Sequence, residues 1–276
     1  MKIKNIFKKT YQSIYKKLYQ YSLYKNKNIH KNFQNMNINI SIVMTCFNKV
    51  EYTINGIDSV FRNTQDKNNF KYKYYLLDDC STDSTFEKFH NRKKLIYHCE
   101  KQQKGVNNLW NVAFELTKEA DFVILVNNDV KFSKNWSEKL LNEMIKYKSV
   151  GSGPETNAPG NRPQQDVTTY LNNYIANDKN DNINSTEKKL EKIKSFNYRT
   201  INGFCMAFNI KWLNMLNKPI INSSDPNFAG EELLFKKYPC NPLIVPSSFV
   251  FHYKQVTVSR KNFENQHFRK NENSSL

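Results

Sequence analysis

Apolar and polar residues alternate along the first half of the chain in a pattern that predicts strands followed by helices. The runs that are apolar and long enough for buried strands cover 40–49, 72–79, 95–100 and 122–130. The segments with apolar residues at helical spacing cover 52–61, 86–89, 105–120 and 136–147. Strand and helix thus alternate four times, which predicts a parallel sheet wound with right-handed crossovers.

The second half is less regular. Gly, Pro and Asn are dense in 151–165, which predicts an irregular loop. The polar stretch 172–199 is interpreted as an insertion or mobile flap with a short helix near 187–193. Regular elements are predicted again after residue 199. Residues 200–216 are predicted to form a strand followed by a helix, 228–239 to contain a helix that follows a glycine turn, and 243–254 to form a pair of short strands.

The charge of the chain is concentrated near its beginning. Residues 1–36 hold nine Lys and no acidic residue, more than half of the formal net charge of +17. Apolar residues from Ile3 to Tyr19 recur at helical spacing between these lysines, which predicts a basic amphipathic helix, followed by a polar linker at 25–39. Two interpretations stay open: peripheral attachment of 1–36 to an anionic membrane, or packing of the helix on the body or a partner.

Length and cysteine usage favour one α/β domain in the cytoplasm. A chain of 276 residues can bury a large core without crosslinks. Its five cysteines are odd in number and form no CxxC pair, so neither a disulfide framework nor a zinc site is expected. No run reaches the ~20 apolar residues of a spanning helix. We therefore expect a cytoplasmic protein with a possible peripheral membrane contact through 1–36.

Acidic residues lie where predicted elements begin or end. Asp78 and Asp79 follow the second strand, and Asp129 follows the fourth. Neighbouring parallel strands would bring these carboxylates to one edge, where a diphosphate and its metal ion could bind. The plainer alternative is an Asx turn that leaves the strand. A nucleotide is the expected ligand, although the chain has neither GxGxxG nor GxxxxGK[ST].

Seven short motifs occur in the order typical of glycosyltransferase family 2, which the chain resembles. They are MTCFNK, LLDDCSTDST, GVNNLWNVAFE, VNNDV, NGFCMAF, GEELLF and FHYK, between residues 39 and 254. The resemblance implies a single GT-A (Rossmann-like) α/β domain with a mixed, mainly parallel central sheet flanked by helices. The expected domains are a basic extension at 1–36, the catalytic domain at 37–265 and a polar tail at 266–276. Within the catalytic domain, 37–131 is the nucleotide-binding half and 132–265 the acceptor-side half.

The resemblance also implies roles for individual residues. The nucleotide is expected to contact Thr45, Phe47, Asp78, Asp79, Asn111 and Asn128. Asp129 corresponds to the last Asp of the DxD motif, which binds Mn²⁺ or Mg²⁺, and His252 matches a position that completes the metal site or contacts the diphosphate. For His252 the alternative is a structural strand histidine. Asn127 and Asn128 replace the other acidic positions of that motif, so the metal dependence rests on Asp129.

The acidic pair Glu231 and Glu232 matches the pair that supplies the catalytic base. Adjacent helical residues point about 100° apart, so one of the two faces the pocket, and Glu232 is preferred. The alternative is that both complement the helix dipole. The implied reaction is a metal-dependent, inverting transfer of a sugar, with a UDP-sugar as favoured donor and a glycan, lipid-linked or protein-linked hydroxyl as acceptor.

The sequence also leaves two other functions open. The first is a nucleic-acid or polyanion binder, against which the charge lies mostly in 1–36 and no nucleic-acid-binding signature appears. The second is an inactive family member that acts as a membrane-tethered interaction module, for which Asn127 and Asn128 are the only indication. The enzyme is the preferred interpretation.

Overall fold

The computed structural model describes residues 37–66, 69–160, 163–175, 177–221, 230–238 and 240–253, so the leader and its predicted helix lie outside the described residues. In the described ranges the strands are β1 (Ile38–Cys46), β2 (Phe70–Asp78), β3 (Leu95–Cys99), β4 (Phe122–Asn127), β5 (Val130–Phe132), β6 (Gly151–Glu155), β7 (Phe196–Asn197), β8 (Cys205–Asn209) and β9 (Leu243–His252). The helices are α1 (Val50–Asn63), α2 (Thr85–Phe89), α3 (Val106–Leu116), α4 (Trp136–Lys146), α5 (Asn180–Leu190), α6 (Ile210–Leu213) and α7 (Gly230–Lys237), with short 3-10 helices at Pro163–Gln165 and Val167–Thr169.

The central sheet has the mixed, mainly parallel form expected of the fold. Its strands lie in the order β3, β2, β1, β4, β8, β6, β9, β5, and β7 pairs with β9. The first four strands of this order are parallel to one another, and β8 is antiparallel to β4. β6 and β9 are parallel to each other, whereas β5 and β7 are antiparallel to β9. The predicted α/β class is confirmed.

β4 lies near the centre of the sheet because it is apolar on both faces. Ile124 and Val126 belong to the core cluster on one face, and Val123 and Leu125 to the cluster on the other. All four are fully buried, as expected of a parallel strand covered by helices on both sides. Asn128 and Asp129, which follow β4, therefore lie at the edge of the sheet.

Helix α1 approaches the turn after β4 very closely. A Cβ on Gly56 would lie 2.9 Å from Cε of Met44 and 3.0 Å from the carbonyl oxygen of Asn128. The side-chain amide of Asn128 also donates to the hydroxyl of Thr53 at 2.9 Å. A residue without a side chain at position 56 therefore allows the helix to hold this turn in place.

The predicted loop at 151–165 is wrong for its first five residues. They form β6, which lies inside the sheet between β8 and β9 and is buried throughout. The sequence did not predict this strand because two of its five residues are glycine and one is proline. Pro154 is tolerated because the register with β9 shifts between Pro154 and Glu155, so the ladder is interrupted where the proline lacks its N–H.

Two further boundaries differ from the prediction. The single strand expected at 122–130 is divided into β4 and β5, with Asn128 and Asp129 between them. The two strands expected at 243–254 are one strand, β9, which pairs first with β6 and then, near its end, with β5. β9 therefore ties the second half of the chain to the turn that carries Asp129.

The interpretation of 172–199 as a flap, with a helix near 187–193, is corrected by α5. This helix begins at Asn180 and ends at Leu190, and it buries Ile183 and Leu190 completely. Ser133 donates to Oε1 of Glu187 at 2.7 Å, and Nζ of Lys139 lies 3.5 Å from Oε2. The helix is thus a packed part of the domain, which the polar composition of the segment concealed.

The described helices are short. The longest, α1, has 14 residues, whereas a helix needs about 20 apolar residues to cross a bilayer. Within the described part of the chain, no helix has both the length and the apolarity of a membrane span.

Candidate functional site

The carboxyl ends of β1, β2 and β4 meet at one edge of the sheet. Thr45 on β1 pairs with Leu77 on β2 and with Asn127 on β4, so the three strands end at the same level. Open α/β sheets bind their ligands outside the carboxyl ends of their strands. The edge therefore brings together the segments that contain Thr45, Asp79 and Asp129, as the sequence predicts.

Asp78 is completely buried and satisfied by the protein. One of its carboxylate oxygens accepts from the hydroxyl of Tyr97, and the other accepts from the N–H of Ser81 at 2.8 Å. Burial, followed by the Asp78 carboxylate, raises the pKa of Tyr97, which keeps the phenol protonated as a donor. Asp78 stabilises the turn after β2, and its contact with a nucleotide stays a prediction.

Asp79 connects this turn to the start of α3. Its two carboxylate oxygens accept from the backbone N–H groups of Lys104 and Gly105, at 2.7 and 2.8 Å. Burial raises the pKa of Asp79, and these two hydrogen bonds oppose the rise because they favour the charged form. The carboxylate thus holds two loops together at the edge where the nucleotide is expected.

The loop that contains Phe47 is fixed by the loop after β2. The backbone N–H of Asn48 donates to Oγ of Ser81 at 2.7 Å, and its side-chain oxygen accepts from the N–H of Thr82 at 2.8 Å. Asp83 accepts from the first N–H of α1, at Val50, at 3.0 Å. Phe47 itself is partly exposed. These hydrogen bonds fix the loop that carries the Phe47 ring.

Asp129 and His252 bring together two side chains of the kinds that bind metal ions at this edge. Nε2 of His252 lies 3.3 Å from Oδ1 of Asp129, and the two side chains are 13% and 6% exposed. The backbone carbonyl of Asp129 also accepts from the N–H of Tyr253 at 2.9 Å. The ring of Phe204 stacks on that of His252, with centroids 5.3 Å apart. Two strands and an aromatic ring hold the pair in place.

The donor atoms of this pair fit a divalent cation. Nδ1 of His252 lies 3.1 Å from the carbonyl oxygen of Ala158, which can only accept, so the neutral ring carries its proton there. Nε2 then presents a lone pair beside a carboxylate oxygen, an arrangement that a cation satisfies. No group of three or more His, Cys, Asp or Glu side chains among the described residues could hold a metal ion. Two protein ligands are enough when phosphate oxygens complete the shell, as is common for Mg²⁺.

The amides of Asn111 and Asn128 are engaged within the protein. Asn111 donates to the carbonyl oxygen of Ile221 at 2.7 Å and accepts from its N–H at 3.0 Å. Asn128 donates to Thr53, as described for α1. The described contacts of Asn111 tie α3 to the segment at 221. Nucleotide contacts for both residues stay predictions.

Glu231 and Glu232 lie in the first turn of α7, which packs tightly on α3. A Cβ on Gly230 would lie 1.9 Å from Oδ1 of Asn107 and 3.0 Å from the ring of Trp110, so a larger residue would push α7 away. Oε2 of Glu231 lies 3.4 Å from the Cβ position of Gly203, and Glu231 is partly buried, whereas Glu232 is exposed. The helix therefore turns the two carboxylates in different directions.

Gly203 lies between Glu231 and the Asp129–His252 pair. Its Cβ position is 3.4 Å from Oε2 of Glu231, and its neighbour in the chain is Phe204, the residue that stacks on His252. Glu231 and His252 are thus linked through two consecutive residues of the NGFCMAF motif.

Sequence reasoning missed two residues near this site. Asn157 contacts the backbone of His252, but an Asn in a loop gives no pattern that would reveal such a contact. Glu155, at the end of β6, is fully buried, and neither carboxylate oxygen has a hydrogen-bond partner among the described residues. Burial, and secondarily Asp166, raises the pKa of Glu155 to about 9. Glu155 was missed because the strand β6 was not predicted.

Comparisons with known proteins concern the family and the fold of the chain. A family model described as "Glycosyl transferase family 2" matches residues 41–215. A structure of GalNAc-T7 with UDP, GalNAc and Mn²⁺ is similar at 16% identity and a TM-score of 0.56, covering 78% of this chain and 43% of that one. A structure of S. aureus TarS 1-349 is similar at 15% identity and a TM-score of 0.54, covering 83% of this chain and 63% of that one.

The chain thus spans less than two thirds of either solved protein. At such low identities these similarities establish the fold. A search of curated proteins found no significant match.

Proposed function

The chain belongs to glycosyl transferase family 2, and on that premise we propose that it transfers a sugar from a nucleoside diphosphate to an acceptor hydroxyl, with inversion of configuration. The observation that carries this proposal is the Asp129–His252 pair, 3.3 Å apart at the carboxyl edge of parallel strands. Phe204 and Gly203 connect this pair to an acidic helix start.

Thr45, Phe47 and Asp79 are proposed to bind the base and ribose of the donor. They belong to the first two strand ends and to loops that are hydrogen-bonded to each other. A UDP-sugar is the favoured donor. The similar structure of GalNAc-T7, which contains UDP and Mn²⁺, supports this choice.

Asp129 and His252 are proposed to hold Mn²⁺ or Mg²⁺ together with the diphosphate. A bound divalent cation supplies positive charge that stabilises the diphosphate as negative charge develops on it. The protein contributes the fixed orientation of both ligands. Because both side chains are mostly buried, water is largely excluded from their immediate surroundings.

Glu232 is proposed as the general base. It takes the proton of an acceptor hydroxyl while that oxygen forms a bond to the anomeric carbon and the bond from this carbon to the diphosphate breaks. Its exposure leaves it accessible to a large acceptor such as a glycan or glycoconjugate. Glu231, partly buried near Gly203, is assigned to support the helix start.

The test compares Glu232→Gln with Glu231→Gln, which make the same chemical change at adjacent positions. Turnover of a panel of nucleotide sugars is measured with Mn²⁺, together with UDP affinity. We expect Glu232→Gln to lower kcat by about 10²–10⁴, the usual share of a general base, and UDP affinity to stay unchanged. Glu231→Gln should have a much smaller effect. The reverse ranking would exchange the two roles, and two mild effects would refute a carboxylate base at α7.

A further inference from the structure

The end of β9 leaves two backbone groups of His252 without a partner on β5. Val130 and His252 are directly opposite in this antiparallel pair, and Tyr253 donates to the carbonyl of Asp129. That bond identifies Val130 and His252 as a non-hydrogen-bonded pair. The N–H and C=O of His252 therefore point away from β5, toward the loop that follows β6.

The side chain of Asn157 satisfies both of these groups. The N–H of His252 donates to Oδ1 of Asn157 at 2.8 Å, and Nδ2 of Asn157 donates to the carbonyl oxygen of His252 at 3.0 Å. A carboxamide offers one acceptor and one donor side by side, so Asn157 replaces a neighbouring strand at this point of the sheet. The next residue, Ala158, accepts from the His252 ring.

We propose that Asn157 is a positioning residue for the cation site, which it serves by fixing the backbone of His252 while Ala158 orients the ring. This inference rests on the proposed function, because it assumes that Asp129 and His252 bind a cation. Asn157 belongs to a third segment, the loop after β6. In this proposal its side chain contacts neither the cation nor the substrate. Outer residues that orient a metal ligand commonly contribute 10- to 100-fold to metal affinity.

The test measures Mn²⁺ binding to the full chain in the presence of UDP, by calorimetry and by electron paramagnetic resonance. Asn157→Ala removes both hydrogen bonds, and we expect it to weaken Mn²⁺ binding by about 10- to 100-fold. Asn157→Asp keeps the size and the acceptor but places a carboxylate oxygen against the carbonyl oxygen of His252, so it should also weaken Mn²⁺ binding. In turnover assays the Mn²⁺ concentration for half activation should rise, with kcat at saturating Mn²⁺ nearly unchanged.

Asn63→Ala is the matched control. Asn63 donates its side-chain amide to the carbonyl of Phe132, at the other end of β5, so the variant removes a similar bond without contacting His252. Its Mn²⁺ affinity should equal that of the wild type, and melting curves confirm that all variants are folded. Equal Mn²⁺ affinity for wild type and Asn157→Ala would overturn this inference alone. A wild-type chain that binds no Mn²⁺ would overturn it together with the proposed metal site.

Discussion

Asp79 and Asp129 lie at the same sheet edge and are almost equally buried, with exposures of 3% and 4%, yet their surroundings differ. Both oxygens of Asp79 accept from backbone amides of the loop before α3. Oδ1 of Asp129 instead lies beside Nε2 of His252. The loop after β6 holds the ring and the backbone of His252 in place. Burial and residue type are therefore poor guides to the role of a carboxylate. Asp79 holds two loops together in addition to its proposed contact with the donor, whereas an oxygen of Asp129 faces a potential metal-ligand nitrogen.

Asp129→Ala should produce the largest effect. The substitution removes a proposed cation ligand, and a loss of about 4 kcal/mol of transition-state stabilisation corresponds to a fall of ~10³ in turnover. The melting temperature should hardly change, because the backbone bond to Tyr253 does not depend on the side chain. Turnover with Mn²⁺ and thermal melting are measured on the same preparation. Retention of more than about a tenth of the activity would show that the metal assignment is wrong.

Asp79→Ala, in contrast to Asp129→Ala, should mainly lower the stability of the fold. The buried N–H of Gly105 and the partly buried N–H of Lys104 lose their acceptor, which we expect to cost about 2–4 kcal/mol in the free energy of unfolding. Urea denaturation of the variant and wild type gives this difference directly. Asp79→Asn, which keeps one acceptor oxygen, should lose about half as much. If either variant were as stable as the wild type and lost UDP affinity alone, Asp79 would be a ligand-binding residue without a structural role.

Glu155 is a third buried carboxylate, and neither of its oxygens has a hydrogen-bond partner among the described residues. Its pKa is raised from 4.5 to about 9, so the folded state binds the proton more tightly than the unfolded chain. The associated stability is fully present below pH 4.5 and is lost as the pH rises toward about 9. Glu155→Gln removes this dependence, and we expect the variant to be about 1–3 kcal/mol more stable than the wild type at pH 8.

The difference should disappear below pH 4.5, where the wild-type carboxyl becomes protonated in the unfolded chain as well as in the folded state. Denaturation midpoints at both pH values check this expectation. A stability gain of the same size at both values would attribute the effect to packing and contradict the pKa shift.

The parallel half of the fold could be predicted because its strands are buried on both faces and have few breaks. β4 illustrates this, since an apolar run of mostly β-branched residues leads directly to Asn127, Asn128 and Asp129. The same logic failed for β6. Its glycines allow the chain to pass closely beneath Phe208 and Ile201, and this packing outweighs the low strand propensity of its residues.

The candidate site was predictable to the extent that it follows strand ends. Asp79 and Asp129 could be located from the strands before them, and His252 from a motif. The partners of their polar atoms could not be predicted, because bonds such as Asn157 to His252 join residues 95 positions apart in the sequence. Side-chain bonds of this kind have no periodicity, so they become visible only in three dimensions.

The path of β9 has a consequence for the order in which the molecule is made. Asp129 lies between β4 and β5, whereas His252 ends β9, the last strand of the described chain. During synthesis, β1 to β4 emerge long before β9, and closing so long a loop is a slow step in folding. The nascent chain can assemble its parallel strands while Asp129 and His252 are still apart. The Asp129–His252 pair is therefore completed late, after residue 252 has left the ribosome.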